Sequence, residues 1–264
     1  MISPKGDRNM PRPVIVVIAV LLLAAAVSAD VRVIGTLRFE PDPQWGRKAT
    51  DLALSREWWF GRNVMAFLTE EWRYVFDKDR SRILVINVKD KYVVAVPMTA
   101  GAQDLVEPGF LDGLGRTRVN GTITKSPNKR TILGKECPGT VVSEWIISDE
   151  RHVFDRDRTI YASPDVPFDW RMNRDLTMWM LTFFNPQMAY FGGLRSIEGF
   201  PLVETDVFTR NNQQMNYSTE VTEMWDVTPA PDFYEIPAGF TRKDKLSQRD
   251  ILAMRQILYF IYFY

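Results

Sequence analysis

Three apolar segments that follow one another closely constrain the fold of this chain most strongly. They are Trp72–Phe76, Ile83–Val88 and Tyr92–Val96. All three are rich in β-branched and aromatic residues, which favour a pleated strand. The polar links that separate them are short enough for hairpin turns. The pattern therefore predicts an antiparallel meander of three strands.

The distribution of apolar side chains over these strands indicates that both faces of the sheet are covered. Trp72, Tyr74 and Phe76 alternate with other residues, as in a strand with one buried face. By contrast, Tyr92–Val96 is apolar at every position. An antiparallel sheet with one face in water should alternate cleanly. The middle of the sheet therefore needs a cover, which is a helix, a second sheet or an apolar ligand.

The first 29 residues have the three regions of a secretory signal peptide. Basic residues precede the apolar segment Val14–Val27, and the small residues Ser28 and Ala29 follow it. The apolar segment is shorter than the about 20 residues that span a bilayer. We therefore expect cleavage after Ala29 and a periplasmic or secreted protein.

The residue types of the chain argue against most catalytic and metal sites. His152 and Cys137 are its only histidine and cysteine, so neither a Ser-His-Asp triad nor a zinc site is easily assembled. We expect Cys137 to be a buried, inert thiol. The run Asp155–Arg158, which alternates acid and base, is interpreted as a solvated strand edge. A pair of carboxylates for glycoside hydrolysis is the remaining catalytic alternative.

The charge of the chain gives no sign of a polyanionic partner. Its 33 basic and 33 acidic residues leave no net charge. Such a balance provides no electrostatic footprint for nucleic acid and no polybasic patch for anionic membranes. We therefore expect a protein that does not bind nucleic acid. The missing catalytic and metal-binding residue types further predict that it is not an enzyme and has no cofactor or metal.

Most of the remaining chain has the pattern of further strands. The main candidates are Val31–Phe39, Thr117–Thr124, Arg130–Glu136, Thr140–Ser148, His152–Ala162, Phe200–Phe208, Met215–Trp225 and Tyr234–Ile236. A turn at residues 126–129 is expected to join the second and third of these into a hairpin. The predicted fold is therefore mainly β, with a small helical part.

One internal segment, Arg171–Met188, has a clear helical period. Its apolar side chains at that spacing are Met172, Leu176, Trp179, Met180 and Phe183. The pair Asn185-Pro186 would end or kink the helix. The apolar face is wide, so this helix is expected to cover the sheet.

A second helical candidate, Leu246–Tyr264, ends on an unusual apolar run. Ser247 and Asp250 have the spacing of a weak capping box. Ile257–Tyr264 is apolar or aromatic throughout and is too short to span a bilayer. Three alternatives are open for this run. It docks into the open side of the sheet, or it contacts an envelope protein or the membrane interface, or it precedes further residues of a longer chain. We expect docking because Ile251 begins an apolar face that continues into the run.

An ordered set of short motifs resembles a known family. The motifs are Trp72–Asp77 (WRYVFD), Arg82–Val88 (RILVINV), Ile132–Cys137 (ILGKEC), Val166–Asp169 (VPFD) and Phe233–Phe240 (FYEIPAGF). Together they resemble the DUF4412-like secreted bacterial domains of unknown function, which are similar in fold to the periplasmic lipoprotein carriers LolA and LolB. The resemblance implies an incomplete antiparallel barrel whose apolar face is covered by helices and receives acyl chains. Unlike LolB, this chain has no cysteine for lipid attachment after the signal peptide.

Together, these patterns predict three regions and one apolar site. The regions are a signal peptide at residues 1–29, a LolA-like antiparallel β domain at residues 30–242 and a C-terminal apolar helical tail at residues 243–264. We expect a non-catalytic envelope protein that binds a lipid or lipoprotein acyl chain in a half-barrel cavity, as a carrier or sensor. The alternative is a structural or interaction module with a filled core. The expected cavity residues are Trp72, Tyr74, Phe76, Leu176, Trp179, Met180 and Phe183.

Overall fold

The computed structural model describes residues 29–41, 52–107, 117–148, 151–184, 195–210 and 213–251. These residues contain twelve strands that form one sheet. The strands are β1 (Asp30–Pro41), β2 (Leu52–Phe60), β3 (Val64–Leu68), β4 (Trp72–Asp77), β5 (Arg82–Asn87), β6 (Tyr92–Pro97), β7 (Thr117–Ile132), β8 (Lys135–Ser148), β9 (Arg151–Ser163), β10 (Phe200–Arg210), β11 (Gln213–Val227) and β12 (Thr241–Lys243). The helices are α1 (Ala102–Leu105) and α2 (Arg171–Phe184).

The sheet consists of two antiparallel meanders that meet at its centre. Strands β1 to β6 form one meander and β7 to β11 the other, and β1 pairs with β11 to join them. The short strand β12 adds to β6 in parallel. Strands β7 and β12 lie at the two edges, so the sheet is open and not closed into a barrel. The predicted fold class, an antiparallel and incomplete barrel with a helical cover, is confirmed.

The cores on the two faces of the first meander differ in what covers them. We call the face that carries Trp72 and Tyr74 the inner face, and the face that carries Val75 and Leu84 the outer face. Met172 and Leu176 of α2 belong to the core of the inner face. Irregular chain around Phe233–Phe240 packs on the outer face. The predicted two-sided cover is therefore a helix on one side and a non-helical segment on the other.

Two details of the predicted strands are wrong. Residues 126–129 do not form a hairpin turn: β7 continues through them with an irregular register between Lys125 and Lys129. The turn instead consists of Leu133 and Gly134, which both have positive φ. Pro127 interrupts pairing without ending an edge strand because an edge tolerates a missing N–H. Tyr234–Ile236 is not a strand, since turns occupy residues 231–234 and a bend follows at residue 235.

The two ends of the chain lie largely outside the described residues. Residues 1–28, which hold nearly all of the predicted signal peptide, and residues 252–264, with the apolar run, are not described. The second predicted helix begins as expected, because residues 248–251 are helical. Within the described ranges, no helix has both the length and the apolar character needed to cross a membrane.

Candidate functional site

The structure brings most of the predicted cavity residues together between β4 and α2. Trp72, Tyr74 and Phe76 occupy alternate positions of β4 and are 1%, 0% and 7% exposed. They share one apolar core with Leu176, against which Trp179 and Met180 of the same helix also pack. The side chain of Phe183 lies outside the described ones. Whether this region binds a ligand stays a prediction.

Aromatic rings from neighbouring strands form a continuous surface beneath the helix. Cross-strand pairing aligns Trp58, Phe67 and Tyr74 in one row across β2, β3 and β4. Their ring centroids lie 5.4 Å (Trp58 to Phe67) and 5.9 Å (Phe67 to Tyr74) apart. Trp72 stacks near Tyr74 at 6.5 Å and meets the edge of Tyr92 at 6.1 Å. We call these five rings the aromatic floor.

The aromatic floor contains two buried polar atoms that lack partners. Neither Nε1 of Trp72 nor the hydroxyl of Tyr74 has a hydrogen-bond partner among the described residues. Burial raises the pKa of the Tyr74 hydroxyl, so this group stays protonated and can donate. An indole N–H only donates. A buried polar group without a partner costs about 1–3 kcal/mol, so both donors favour an oxygen acceptor in this core.

Among the residues that the structure describes, few polar contacts attach α2 to the sheet. Asp169 caps the helix by accepting a hydrogen bond from the backbone N–H of Arg171 at 3.1 Å. Nζ of Lys78 lies 3.7 Å from Oδ2 of Asp169 and 3.8 Å from Oδ2 of Asp175, and all three side chains are over a third exposed. Exposed ion pairs contribute about 0–1 kcal/mol. The helix is therefore held mainly by apolar packing, which an apolar chain can replace.

Nearer the middle of α2, one hydrogen bond reaches the loop after β6. Nε1 of Trp179 donates to the backbone carbonyl of Ala100 at 3.2 Å. Unlike Trp72, this tryptophan has a partner for its N–H although it is less buried. The contrast places the unpaired donors on the sheet side of the interface and not on the helix side.

A polar group borders the aromatic floor at Tyr92. The Tyr92 hydroxyl forms a hydrogen bond with the Asp250 carboxylate, and Asn87 Nδ2 lies 3.5 Å from the same hydroxyl. Asp250 also accepts hydrogen bonds from the backbone N–H of Ser247 at 2.9 Å and from its hydroxyl at 2.7 Å. Burial acts to raise the pKa of Asp250, but the hydrogen bonds from Tyr92 and Ser247 outweigh it and lower this pKa. The predicted capping box is confirmed.

Four buried charged side chains and the half-buried Glu204 form a cluster in the second meander. Its members are Glu144, Arg156, Arg158, Glu204 and Asp206. Arg156 and Arg158 are only 1% and 2% exposed, so the interpretation of Asp155–Arg158 as a solvated edge is wrong for both arginines. Asp155 and Asp157 face solvent as predicted. The alternation was visible in the sequence, but only the acids on neighbouring strands explain why the arginines face inward.

The strand register places this charged cluster beside the aromatic rings of Phe39 and Tyr217. Asp206 lies opposite Tyr217, and Tyr217 lies opposite Phe39 of β1. On β9, Arg156 and Arg158 share a face with Ile160 and Ala162, which belong to a separate apolar core. The charged cluster is therefore set apart from the aromatic floor.

The described residues offer little to a metal ion. No group of three or more His, Cys, Asp or Glu side chains within them is arranged to hold one. Cys137 is buried, and its Sγ donates to the backbone carbonyl of Lys135 at 3.4 Å. Burial also raises the pKa of this thiol. The prediction of a buried thiol is confirmed, because Cys137 is fully buried.

Comparison with known proteins gives distant structural likenesses and no match to a known family. No protein-family model matches the chain, and no curated protein does so. Among solved structures, the crystal structure of a DUF1329 family protein from Desulfovibrio piger is similar, with 8% identity and a TM-score of 0.29. The match covers 82% of this chain and 94% of that one. The resemblance to DUF4412-like domains stays a prediction.

Proposed function

We propose that this protein is a non-catalytic, exported envelope protein that binds an acyl chain of a lipid or lipoprotein between the aromatic floor and α2. The observation that carries the proposal is a pair of donors, Trp72 Nε1–H and Tyr74 O–H, which have no hydrogen-bond partner in the described part of the chain and lie inside an otherwise apolar interface. A filled apolar core gains nothing from two such groups. A ligand with an apolar chain and an oxygen acceptor suits both the floor and its donors.

The way in which α2 is attached supports the same site. The ion pairs from Lys78 to Asp169 and Asp175 are partly exposed and stabilise the helix only weakly. Moving the helix away from the sheet would expose Leu176 and the floor, and each methylene of a bound chain would recover about 0.8 kcal/mol. An acyl chain of ordinary length can therefore offset much of the lost contact between helix and floor.

The exported location rests on the signal-peptide pattern of residues 1–29. The resemblance to the carrier fold adds a role in moving or sensing acylated molecules. Fractionation of cells that produce the full chain should find the mature protein, beginning at Asp30, outside the cytoplasm. A protein that keeps residues 1–29 and stays in the cytosol would contradict this part of the proposal.

Ligand binding is tested first on the protein as it is purified from cells. Native mass spectrometry should detect a co-purified lipid, and a fluorescent acyl probe should bind to delipidated protein. Leu176→Ala on α2 should weaken probe binding. Leu84→Ala is the matched control, because Leu84 is equally buried but lies in the core of the outer face. Equal weakening by both variants would indicate a general loss of folding and count against the site.

The close packing of the core favours a second candidate, a structural or interaction module without a ligand. Phe60 and Phe168 stack with ring centroids 3.8 Å apart, and the floor residue Tyr74 is fully buried. On this alternative, purified protein is free of lipid and takes up no acyl probe.

A further inference from the structure

We propose, on the basis of the proposed function, that the bound molecule is an esterified acyl chain whose carbonyl oxygen accepts hydrogen bonds from Trp72 Nε1–H and Tyr74 O–H, in preference to a free fatty acid. The two donors lie two residues apart on β4 and therefore on the same face of the sheet. Their rings stack with centroids 6.5 Å apart. A carbonyl oxygen has two lone pairs and can accept from two donors.

The charges around the floor favour a neutral acceptor. Arg73, which lies between the two donors in β4, points to the outer face, where it donates to the Phe233 carbonyl at 2.9 Å. Two charged groups border the floor at Tyr92: the Asp250 carboxylate bonds to its hydroxyl, and Nζ of the exposed Lys243 lies 3.5 Å from its ring centroid. Lys243 attracts Asp250 and helps to lower its pKa, so the two charges largely balance each other. A fatty-acid carboxylate at Trp72 and Tyr74 would therefore lie in a poorly solvated place beside a carboxylate.

Apart from Lys243, the buried cations among the described residues lie farther from Trp72 and Tyr74. Arg56 shares the inner face with Trp58, but it belongs to β2, two strands from β4 or about 10 Å across the sheet. Arg156 and Arg158 are engaged with carboxylates in the second meander. A buried carboxylate needs a charged partner or several hydrogen bonds. Among the described residues, the floor itself offers two neutral donors, which match an ester.

The state of the Tyr74 hydroxyl agrees with this role. Burial raises its pKa, so the hydroxyl keeps its proton at any pH that the cell envelope provides. The floor should therefore bind an ester equally well across the neutral range. A free fatty acid should bind better as the pH falls and its carboxyl group becomes protonated, because only then does it resemble the ester.

The test compares two ligands of equal chain length on the full mature chain. A fatty-acid methyl ester and the corresponding free acid, delivered from the same detergent, displace a fluorescent acyl probe at pH 7.5. We expect the ester to bind at least about tenfold more tightly, because the ionised acid loses more hydration on entering the floor and gains no charged partner at Trp72 and Tyr74. The preference should narrow as the pH is lowered toward the pKa of the acid.

Tyr74→Phe is the variant that isolates the hydroxyl. It should weaken ester binding about tenfold and leave binding of the ionised acid unchanged, while the thermal midpoint of the ligand-free protein does not fall. Tyr234→Phe is the matched control: it removes a half-buried hydroxyl on the outer face that donates to Asp30 at 2.5 Å, so it should lower the midpoint and keep the ester preference.

The outcomes separate this inference from the proposed function. If wild-type protein binds ester and acid equally, prefers the acid, or keeps its ester preference in Tyr74→Phe, the inference is overturned while the acyl-binding function stands. If it binds neither ligand, the proposed function and the inference both fail. The comparison of ligands on wild-type protein does not depend on whether the variant folds.

Discussion

Arg156 and Asp206 form a buried ion pair with two parallel hydrogen bonds in the second meander of the sheet. Nε of Arg156 donates to Oδ1 of Asp206 at 3.0 Å, and Nη2 donates to Oδ2 at 2.9 Å. They belong to a cluster of three carboxylates and two guanidinium groups among the described residues, and Glu144, Glu204 and Arg158 are its other members. Burial raises the pKa of Asp206 to about 6, and the negative charge of Glu204 acts in the same direction. The positive charge of Arg156 opposes this rise but does not cancel it.

The raised pKa of Asp206 predicts how stability depends on pH. The folded value lies above the ordinary value near 3.9, so the folded state binds the proton more tightly than the unfolded state. The stabilisation of the folded state by protonated Asp206 is fully present below about pH 4 and is lost as the pH rises through about 6. Over this range the free energy of unfolding falls by at most about 1.4 kcal/mol per pH unit. Urea unfolding of wild type and Asp206→Asn between pH 4 and 7 should show this difference.

The control for this pH series is Asp157→Asn. Asp157 is exposed on β9. Its substitution should therefore leave the dependence of stability on pH as it is in the wild type. A difference between Asp206→Asn and wild type that is constant from pH 4 to 7 would refute the assignment of the raised pKa to Asp206.

The glycine before β10 should not tolerate a side chain. Gly199 has a φ of 101°, and a Cβ there would lie 2.3 Å from the backbone carbon of Ser163 and 2.6 Å from the nitrogen of Pro164. Backbone atoms cannot move aside without disturbing the end of β9. We expect Gly199→Ala to lower the free energy of unfolding by at least about 3 kcal/mol, combining the strain of a left-handed residue with a steric clash.

Gly239 provides the control for this substitution. It also has a positive φ, of 80°, but a Cβ there would meet nothing within 4 Å. Gly239→Ala should therefore cost only the backbone strain, about 1–2 kcal/mol. Equal losses in the two variants, measured by chemical unfolding, would show that the contact with Ser163 is relieved by a small shift.

The sequence predicts those parts of the fold that depend on local pattern. The first meander and the helix from Arg171 follow from side-chain periods that neighbouring residues impose on each other. The turn at Leu133 and Gly134 was missed because leucine rarely adopts positive φ, whereas Ser126-Pro127 has the composition of a turn. Propensity was thus overruled by the pairing of a long edge strand.

Features that depend on contacts between residues far apart along the chain are harder to predict from the sequence. Arg156 faces inward because Glu144 and Asp206 of the adjacent strands neutralise it, and no local pattern around Arg156 reveals these partners. The aromatic residues of β4 were predicted as an apolar surface. That Trp72 and Tyr74 have donors without a partner in the described ranges emerges only when the surrounding strands and helix are in place.

Cys137 should react with thiol reagents only when the protein unfolds. Its side chain is fully buried, and burial raises the pKa of the thiol, which lowers the fraction of reactive thiolate. The labelling rate of native protein at pH 8 should therefore follow the opening of the structure and rise steeply with urea. Rapid labelling without urea, at the rate of a small thiol, would contradict this assignment.

Asp250 should anchor the start of the C-terminal helix to the sheet. It caps the helix through Ser247 and accepts a hydrogen bond from Tyr92, while the adjacent Ile251 is buried in the inner core. Loss of an N-cap and of a hydrogen bond to a charged group costs about 1–3 kcal/mol. We expect Asp250→Ala to lower the free energy of unfolding by that amount at pH 7.

The lowered pKa of Asp250 gives this prediction a second test. Because the folded pKa lies below the unfolded one, the stabilisation is present above about pH 4 and is lost as the pH falls through the folded value. Wild type and Asp250→Ala should therefore converge in stability toward pH 3. Asp244→Ala, an exposed residue of the same segment, should change stability little at either pH. A loss in Asp250→Ala that persists undiminished in acid would mean that its methylene packing, and not its carboxylate, anchors the helix.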